Sequence, residues 1–231
     1  MSILSSVKGW LGEAQGALAH ALYLDPKIYV SLNNVTIPTQ GGTTQIDHIV
    51  VSRYGIFVIE AKNMNGWIFG DATSRQWTQN LFGQKTRFQN PLHQNYRHTQ
   101  ALSEFLGITP DHIHSLVMFW GECEFKTQLP PNVIERDYIA HITSKETVLF
   151  TDREVSTIVT AIKTGMLPQS WTTRREHIQS LKARHGSTTI CPKCGSPLLR
   201  RIAKSGPRQG QPFLGCASFP KCRYTVNPAS E

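Results

Sequence analysis

Four of the five cysteines lie in the last 41 residues, in the pattern Cys-x2-Cys, 21 residues, Cys-x5-Cys. Two close pairs of thiolates can surround Zn²⁺ tetrahedrally, and four protein ligands are typical of a structural rather than a catalytic site. An iron–sulfur cluster or free thiols are the alternatives. The fifth cysteine, Cys123, is interpreted as an ordinary strand residue. The predicted zinc ligands are Cys191, Cys194, Cys216 and Cys222.

A second group of reactive residues lies in the first third of the chain, where Asp47 is followed by Glu60-Ala61-Lys62. Two carboxylates can bind Mg²⁺, which prefers oxygen ligands and keeps several waters. A nearby lysine ammonium can orient or help deprotonate an attacking water and offset charge on a phosphate. Chance and surface salt bridges also produce this pattern. The apolar strands around it favour the metal site, because a buried charge is costly unless it is paired or bound to metal.

A β-hairpin is predicted to bring these carboxylates together. Residues 43–52 and 55–63 are rich in β-branched and aromatic residues and are separated by Arg53-Tyr54. If those two residues form the turn, Ser52 opposes Gly55, and Asp47 lies opposite Glu60 with Lys62 on the same face.

The remaining elements predict one mixed α/β layer, an α+β sheet flanked by helices. Strands are expected at 28–37, 113–120 and 133–142, and helices at 14–24, 91–106 and 152–163. The polar segment 171–187 is helical at most and is interpreted as a linker. We therefore expect a main domain at 1–168, a linker at 169–187 and a small zinc ribbon at 188–231.

The net charge of +8 lies entirely in the C-terminal segment. Nine of the 24 basic residues and one of the 16 acidic residues lie from residue 181 onward, so the preceding chain carries 15 of each. Such a basic patch favours polyanions, nucleic acid first, although a solvated tail is the alternative. No run of residues has the length and hydrophobicity of a membrane span, and no export signal is evident, so a cytoplasmic location without membrane contact is expected.

The C-terminal segment resembles the C4 zinc finger found at the C-termini of bacterial type IA topoisomerases. The resemblance rests on Cys-Pro-x-Cys-Gly, on Leu198–Arg201 and on Phe213-Leu-Gly-Cys-x-x-Phe-Pro-x-Cys. It implies binding of single-stranded DNA, and the chain is too short to be a topoisomerase. Aromatic rings could stack on bases while basic side chains follow the phosphates. The alternative is that Phe213 and Phe219 form the ribbon's own small core, and for Phe213 the two interpretations are equal. The predicted nucleic-acid contacts in this segment are Arg200, Arg201, Lys204, Arg208, Phe213, Phe219, Lys221, Arg223 and Tyr224.

Residues 8–107 resemble the nuclease-related domain, or NERD, family. The matching segments are KGWLGE, TTQIDHIVVSRYGIFVIEAKNMNGWIFGD, RQWTQ and FQNPLHQNYRHTQAL. The resemblance implies a restriction-endonuclease-like fold with Asp47, Glu60 and Lys62 in the central roles. It also makes Glu13 a third acidic group and metal ligand, and places Gln79 and Gln94 at the family's two recurring glutamines.

Several polar and aromatic side chains near these motifs have an alternative structural role. Gln94 and His98 share a helical face, but capping or surface polarity is the alternative, slightly favoured for His98. His48 is expected on the face opposite Asp47. Trp67 and Trp77 are expected to pack the sheet, although a wall for DNA is the alternative. The predicted phosphate contacts of this domain are Arg53, Lys85, Arg87 and Arg97.

Together these features predict a Mg²⁺- or Mn²⁺-dependent phosphodiesterase acting on DNA, with a zinc finger that binds single-stranded or branched DNA. A DNA-binding scaffold without turnover and a nuclease acting on RNA are the alternatives. The complete set of Asp47, Glu60 and Lys62 favours the enzyme.

Overall fold

The computed structural model describes residues 24–39, 42–135, 138–186, 189–194, 196–220 and 222–227, with the side chains of 181–186 excluded. Glu13 and the predicted helix, up to residue 23, lie outside these ranges. The described strands are β1 (Val30–Thr39), β2 (Gly42–Ser52), β3 (Gly55–Asn63), β4 (Gly66–Phe69), β5 (Gln76–Leu81), β6 (Gln84–Gln89), β7 (Ile113–Trp120), β8 (Cys123–Phe125), β9 (Val133–Ile134), β10 (Leu198–Ile202), β11 (Pro212–Cys216) and β12 (Thr225–Val226). The described helices are α1 (Pro91–Leu106), α2 (Tyr138–Thr143), α3 (Asp152–Gly165) and α4 (Trp171–Gly186), with a 3-10 turn at Pro110–His112. None of these helices combines the length and hydrophobicity that a membrane crossing needs.

The first sheet has the strand order β1-β2-β3-β7-β9, antiparallel from β1 to β3 and parallel from β3 to β9. Its central strands are apolar at nearly every position because α1 and α3 cover one face and α2 packs on the other. The β2–β3 hairpin has the predicted register, with Ser52 opposite Gly55 and His48 opposite Ile59. The prediction of a two-residue turn at Arg53-Tyr54 is therefore confirmed.

Helix α1 begins and ends where the sequence predicts. The side chain of Asn90 caps it by accepting from the amide of Leu92, and Gly107 ends it in the left-handed conformation with φ of 65°. The buried amide of Asn95 donates to the carbonyls of Val58 and Leu116, at 2.9 and 2.8 Å. These two bonds fix the helix over the parallel strands β3 and β7.

The second sheet, in the order β6-β5-β4-β8, continues two strands of the first. Strand β3 leads into β4 and β7 leads into β8, so one parallel pair contributes to both sheets. Gly66 and Gly121 lie at the two bends with φ of 81° and 90°. A Cβ on Gly121 would lie 2.5 Å from Asn65 Oδ1, so the close approach of the two bends requires glycine.

The predicted strand at 133–142 is wrong. Among the described residues of this segment only Val133–Ile134 pair with β7, and the six residues Tyr138–Thr143 form α2. Tyr138 and Ile142 lie one helical turn apart and pack on the cluster around Phe57. Their apolar and aromatic character suited a strand equally well, and tertiary packing decided between the two.

The segment interpreted as a linker forms helix α4, which packs against β2. Thr173 and His177 are buried, and His177 Nδ1 lies 3.0 Å from the hydroxyl of Thr43. The predicted boundary at residue 168 therefore falls just before a helix that contacts the first sheet.

Gly70 supports the indole of Trp77, and we expect Gly70→Ala to be destabilising. Trp77 is 1% exposed, and a Cβ on Gly70 would lie 2.2 Å from its ring. Overpacking of this kind costs about 1–3 kcal/mol, which corresponds to a loss of roughly 2–12 °C in melting temperature for a chain of this size. Thermal unfolding would measure it. In a Trp77→Leu background the same change should cost much less, and equal costs in both backgrounds would contradict the contact.

Candidate functional site

Asp47 and Glu60 lie together at the end of the β2–β3 ladder. Asp47 is one position beyond the last registered pair, His48–Ile59, so it lies on the same face as Glu60. Its Oδ2 accepts a hydrogen bond of 3.1 Å from the amide of Ala61. His48 lies on the opposite face, as predicted, and its Nδ1 is 2.8 Å from Asn33 Oδ1.

Lys62 and two residues of α1 surround the carboxylate of Glu60, which is 2% exposed. Lys62 Nζ donates to Glu60 Oε1 at 2.6 Å and to Gln94 Oε1 at 3.1 Å. His98 Nε2 lies 3.3 Å from Glu60 Oε2. Helix α1 therefore contributes Gln94 and His98 from adjacent turns of one face, and the interpretation of His98 as surface polarity is wrong.

A buried chain of polar groups orients His98. Arg97 Nη2 donates to the hydroxyl oxygen of Thr44 at 3.0 Å, and that hydroxyl lies 2.8 Å from His98 Nδ1. Because guanidinium only donates, the Thr44 proton is free to point at Nδ1, which leaves the imidazole proton on Nε2 facing Glu60. Burial lowers the pKa of His98, so the neutral ring with this tautomer is the expected form.

The two carboxyl groups have opposite pKa shifts. Burial, followed by repulsion from Glu60, raises the pKa of Asp47 to about 7. Burial would also raise the pKa of Glu60, but Lys62 and His98 outweigh it and hold the pKa well below its usual range. The ion pair with Glu60 in turn raises the pKa of Lys62 despite its burial. At neutral pH the cluster therefore contains a fixed Glu60–Lys62 ion pair and an Asp47 carboxyl that titrates.

The raised pKa of Asp47 predicts that Asp47→Asn stabilises the protein at high pH and not at low pH. Unfolded Asp47 loses its proton near pH 4 but the folded residue near pH 7, so its neutral form favours folding and this contribution disappears as pH rises across that window. Asparagine does not titrate, and it keeps an oxygen for the Ala61 amide. We expect the melting temperatures to converge near pH 4 and the variant to be more stable by roughly 2–4 kcal/mol at pH 8. Melts in buffer without added divalent cations would measure this, and a pH-independent difference would contradict it.

A second Glu-x-Lys sequence shows how burial distinguishes the site. Glu124 and Lys126 on and after β8 have the same spacing and also form a salt bridge. The side chain of Glu124, however, is 62% exposed, compared with 2% for Glu60. Exposed pairs of this kind contribute little, whereas a buried carboxylate beside a second one is a candidate cation ligand.

The remaining predicted residues of this domain lie elsewhere. Gln79 is on β5, where its amide donates to the carbonyl of Asn65 at 2.8 Å. Arg53 is at the far end of the hairpin, about 20 Å along the strand from Asp47, and is 3.6 Å from Asp152. Arg97 is 8% exposed and belongs to the chain that orients His98, so its guanidinium is not available as a surface phosphate contact. Lys85 and Arg87 are exposed on β6.

The four predicted zinc ligands converge on one point. Their sulfur atoms all lie within 4.8 Å of one another, with Cys191 and Cys222 3.8 Å apart and Cys194 and Cys216 3.3 Å apart. Tetrahedral Zn²⁺ with Zn–S bonds of ~2.3 Å requires sulfurs about 3.8 Å apart, so the cluster fits a structural zinc ion. In the part of the chain that the structure describes, this is the one group of three or more potential metal ligands.

A small three-stranded sheet, β10-β11-β12, carries the cluster. Leu198, Leu214 and Val226 pack on the sulfurs. Phe213 is not part of that cluster: it is half-buried and lines a cavity of about 540 Å³ next to Arg75. Phe219 is 57% exposed. The finger's own core therefore consists of these aliphatic residues and Tyr224 around the cysteines, and Phe213 and Phe219 lie outside it.

The predicted basic contacts of the finger are mostly on its surface. Arg200, Lys204, Arg208 and Arg223 are exposed. Arg201 is half-buried, donates to the carbonyl of Cys216 at 3.3 Å and lies over the ring of Phe219. Lys221 lies outside the described residues.

The finger contacts the first domain at the beginning of α1. Arg75 lies over the ring of Tyr224 with 5.2 Å to the centroid, and Lys193 lies over Tyr96 at 5.6 Å. Between them is a cleft of about 370 Å³, lined by Arg75, Gln76, Gln89, His93, Pro192, Lys193 and Tyr224. This contact was not predicted, because Arg75 and Lys193 lie in motifs of two separate families, RQWTQ and CPKCG, and neither motif indicates a contact with the other.

Comparison with known proteins assigns both parts of the chain. Residues 8–120 match the nuclease-related domain, and residues 188–231 match the topoisomerase DNA-binding C4 zinc finger. An uncharacterized protein of Bacillus anthracis is 45% identical over 123 residues, which are 52% of this chain and 58% of that protein. DNA topoisomerase 1 of Mycoplasma genitalium is 49% identical over 35 residues, 15% of this chain and 4% of that protein. No solved structure matches the chain.

The two matches agree with the two structural parts, a mixed α/β domain with a buried acidic site and a small sheet with four converging cysteines. The chain spans little more than half the length of the Bacillus protein and a small fraction of the topoisomerase. It therefore carries a nuclease-related domain of the NERD family followed by a C-terminal C4 zinc finger of the topoisomerase type.

Proposed function

We propose that the protein is a phosphodiesterase that cleaves DNA with the help of Mg²⁺ or Mn²⁺. The observation that carries this proposal is the pairing of Asp47 with the buried Glu60–Lys62 ion pair on one face of β2 and β3. The mixed sheet, with one carboxylate on each strand of an antiparallel hairpin, also supports a restriction-endonuclease-like fold for residues 1–168.

The side chains at this site fit a hard divalent cation. Asp47 carries a carboxyl whose pKa is raised by burial and by Glu60, and Glu60 Oε2 has no well-aligned hydrogen-bond donor among the described residues. Two carboxylates that disfavour each other's charge are stabilised by a cation between them. Asp47 and Glu60 would hold the ion, with Glu13 proposed as a third ligand, and the ion would supply Lewis-acid activation of water and phosphate.

Lys62, Gln94 and His98 have distinct roles in this proposal. Lys62 Nζ lies between Glu60 and Gln94. The ammonium could therefore exchange Glu60 for a phosphate oxygen as its ion-pair partner and stabilise the negative charge that develops there. The Gln94 oxygen holds the ammonium on the substrate side of Glu60. His98 Nε2 lies 3.3 Å from Glu60 Oε2 without an aligned hydrogen bond, and the buried ring would help to hold that carboxylate in place by contact. Gln79 contacts the loop after β3 and is proposed only to shape the edge of the site.

The zinc finger is proposed to deliver single-stranded or branched DNA to this site. Its exposed basic side chains would neutralise phosphates, and Phe213, Phe219 and Tyr224 offer ring faces to bases. This arrangement gives the finger a binding role and leaves chemistry to the neutral first domain.

A cleavage assay tests the proposal. Purified protein would be incubated with single-stranded, branched and duplex DNA and with matched RNA, each with Mg²⁺, Mn²⁺ or no added divalent cation. We expect cation-dependent cleavage of at least one DNA substrate. Binding without cleavage in every condition would instead favour the non-catalytic scaffold, and cleavage of RNA alone would move the activity to RNA.

A further inference from the structure

The second sheet exposes aromatic side chains that its own packing does not use. One face buries Ile68, Trp77 and Phe88 against Phe119 and Phe125. Side chains alternate along a strand, so the other face carries Trp67 and Phe69, which are 48% and 37% exposed. Exposed aromatic rings next to each other are costly in water and are characteristic of interaction sites. We call this outer face the open face, formed by Trp67, Phe69, Thr78, Asn80, Lys85 and Arg87.

The register places basic residues on the same face as these rings. Trp67 is opposite Asn80 and Phe69 is opposite Thr78 across β4 and β5. Asn80 and Thr78 are in turn opposite Lys85 and Arg87 across β5 and β6. Opposed residues of antiparallel strands share a face. Two ring faces therefore lie beside two solvent-exposed cations.

The basic part of this surface, on β5 and β6, favours a polyanion. From Arg75 to Gln89 the chain contains no acidic residue. In the preceding loop, Asp71 uses its carboxylate to accept from Thr73 and Ser74. The β8 edge is acidic, because Trp67 lines a cleft there with Glu122, Glu124 and Glu135. Of these, Glu124 is paired with Lys126, whose ammonium lies 4.7 Å from the Trp67 ring centroid.

The tip of the β5–β6 hairpin carries a third aromatic residue in a strained conformation. Phe82 is 98% exposed and has φ of 51°, followed by Gly83 with φ of 85°. Such two-residue turns favour Asn-Gly, since both positions require positive φ. A bulky residue there costs about 1–2 kcal/mol of backbone energy, and its ring contributes nothing to the fold at that exposure. An outlier of this kind points to a function.

The open face continues into the cleft beneath the finger. Gln76 and Gln89 are opposed at the base of the hairpin, two positions beyond Thr78 and Arg87 on the same face, and both line the cleft. From there to the tip, β5 spans about 17 Å at ~3.4 Å per residue. The cleft also contains the Arg75–Tyr224 pair.

We propose that the open face binds single-stranded nucleic acid, with bases stacked on Trp67, Phe69 and Phe82 and phosphates paired with Lys85 and Arg87. A nucleic-acid strand bound here would run from the tip of the β5–β6 hairpin to the cleft beneath the finger. Sheets that bind single strands combine the same two elements, aromatic rings and a basic groove. The inference takes its class of ligand from the proposed function but does not require catalysis.

Equilibrium binding tests the open face without cleavage. The full chain would be titrated against a fluorescein-labelled single-stranded oligodeoxynucleotide without added divalent cations, with fluorescence anisotropy as the readout. We expect Trp67→Ala and Phe82→Asn each to weaken binding by about 5- to 100-fold, the effect of removing one stacked ring. Arg87→Ala should reduce the slope of log affinity against log salt by about 0.7.

Matched variants separate these effects from folding. Phe82→Asn installs the preferred turn sequence, so it should preserve or raise the melting temperature while it weakens binding. Trp171→Ala removes an indole that is 75% exposed on α4, more than that of Trp67, and Lys163→Ala removes an exposed cation of α3. Both variants should bind as the wild type does. Wild-type affinity in Trp67→Ala and Phe82→Asn would overturn the proposal, as would an equal loss in Trp171→Ala. Loss of self-association in these variants without loss of DNA binding would also overturn it, because the rings would then belong to a protein contact.

The proposed catalytic function can fail separately. If the protein binds single-stranded nucleic acid through the open face but cleaves no DNA, this inference stands and the proposed phosphodiesterase activity is wrong. Conversely, the protein could cleave DNA while Trp67→Ala and Phe82→Asn bind it with wild-type affinity. The phosphodiesterase proposal would then stand, and the open face would not be the binding surface.

Discussion

Replacing Glu60 by glutamine is expected to reduce cation-dependent cleavage of DNA by at least about 10³-fold, equivalent to about 4 kcal/mol of transition-state stabilisation. The substitution removes a proposed cation ligand and leaves Lys62 without its ion-pair partner, 2.6 Å away in the native site. It changes little in shape, because glutamine has nearly the volume of glutamate. Single-turnover cleavage with saturating enzyme would measure the loss at the chemical step.

Glu124→Gln is the matched control for this experiment. It alters a glutamate that also precedes a lysine by two residues and also forms an ion pair, but that is exposed on the edge strand β8. Cleavage by this variant should stay within about twofold of the wild type, as for most exposed pairs. Equal rates for Glu60→Gln and the wild type would remove the acidic cluster from the mechanism, even if the protein cleaves DNA.

Loss of zinc from Cys216→Ser is expected to weaken binding of single-stranded DNA by at least about tenfold. Cys216 is 2% exposed and is both a sulfur ligand and the last residue of β11. A module of this size has too little core to fold without its metal, so the finger should unfold while the first domain stays folded. Metal analysis would report the bound zinc, anisotropy the affinity, and circular dichroism the retained α/β domain.

Cys123→Ser provides the control, because Cys123 is half-buried in β8 and outside the cluster. Zinc content and DNA affinity should both match the wild type. Wild-type affinity in a zinc-free Cys216→Ser protein would assign all of the binding to the first domain. Full zinc content in that variant would show that the cluster does not depend on all four thiols.

The regular local patterns made much of the fold predictable. The β2–β3 register followed from two apolar runs with two residues between them, and α1 from Pro91 and the terminal Gly107. The strand expected at 133–142 failed since Tyr138 and Ile142 pack equally well from a helix. The β4–β6 strands could not be assigned beforehand: β4 has only four residues, and β5 and β6 are mostly polar with Trp77 and Phe88 as their inner aromatic residues, so no apolar run marked them.

The candidate site was predictable only where residues are close in sequence or in register. Asp47, Glu60 and Lys62 meet through one hairpin. The contacts of Gln94 with Lys62 and of His98 with Glu60 depend instead on how Asn95 fixes α1 across two strands. Thr44 and Arg97 are tied to the site only through that docking, and a buried arginine on an amphipathic helix looks in sequence like an exposed one.

Helix α1 faces two binding regions at once. Gln94 reaches the acidic cluster, while the adjoining His93 and the nearby Tyr96 contact the cleft and Lys193 of the finger. A bound nucleic-acid strand that repositions the finger would shift this helix and with it Gln94, the hydrogen-bond partner of Lys62. Cation affinity and nucleic-acid affinity would then be linked, and thermodynamics requires each ligand to change the affinity of the other by the same factor. A helix shared in this way would therefore couple cation binding at the acidic cluster to nucleic-acid binding at the finger.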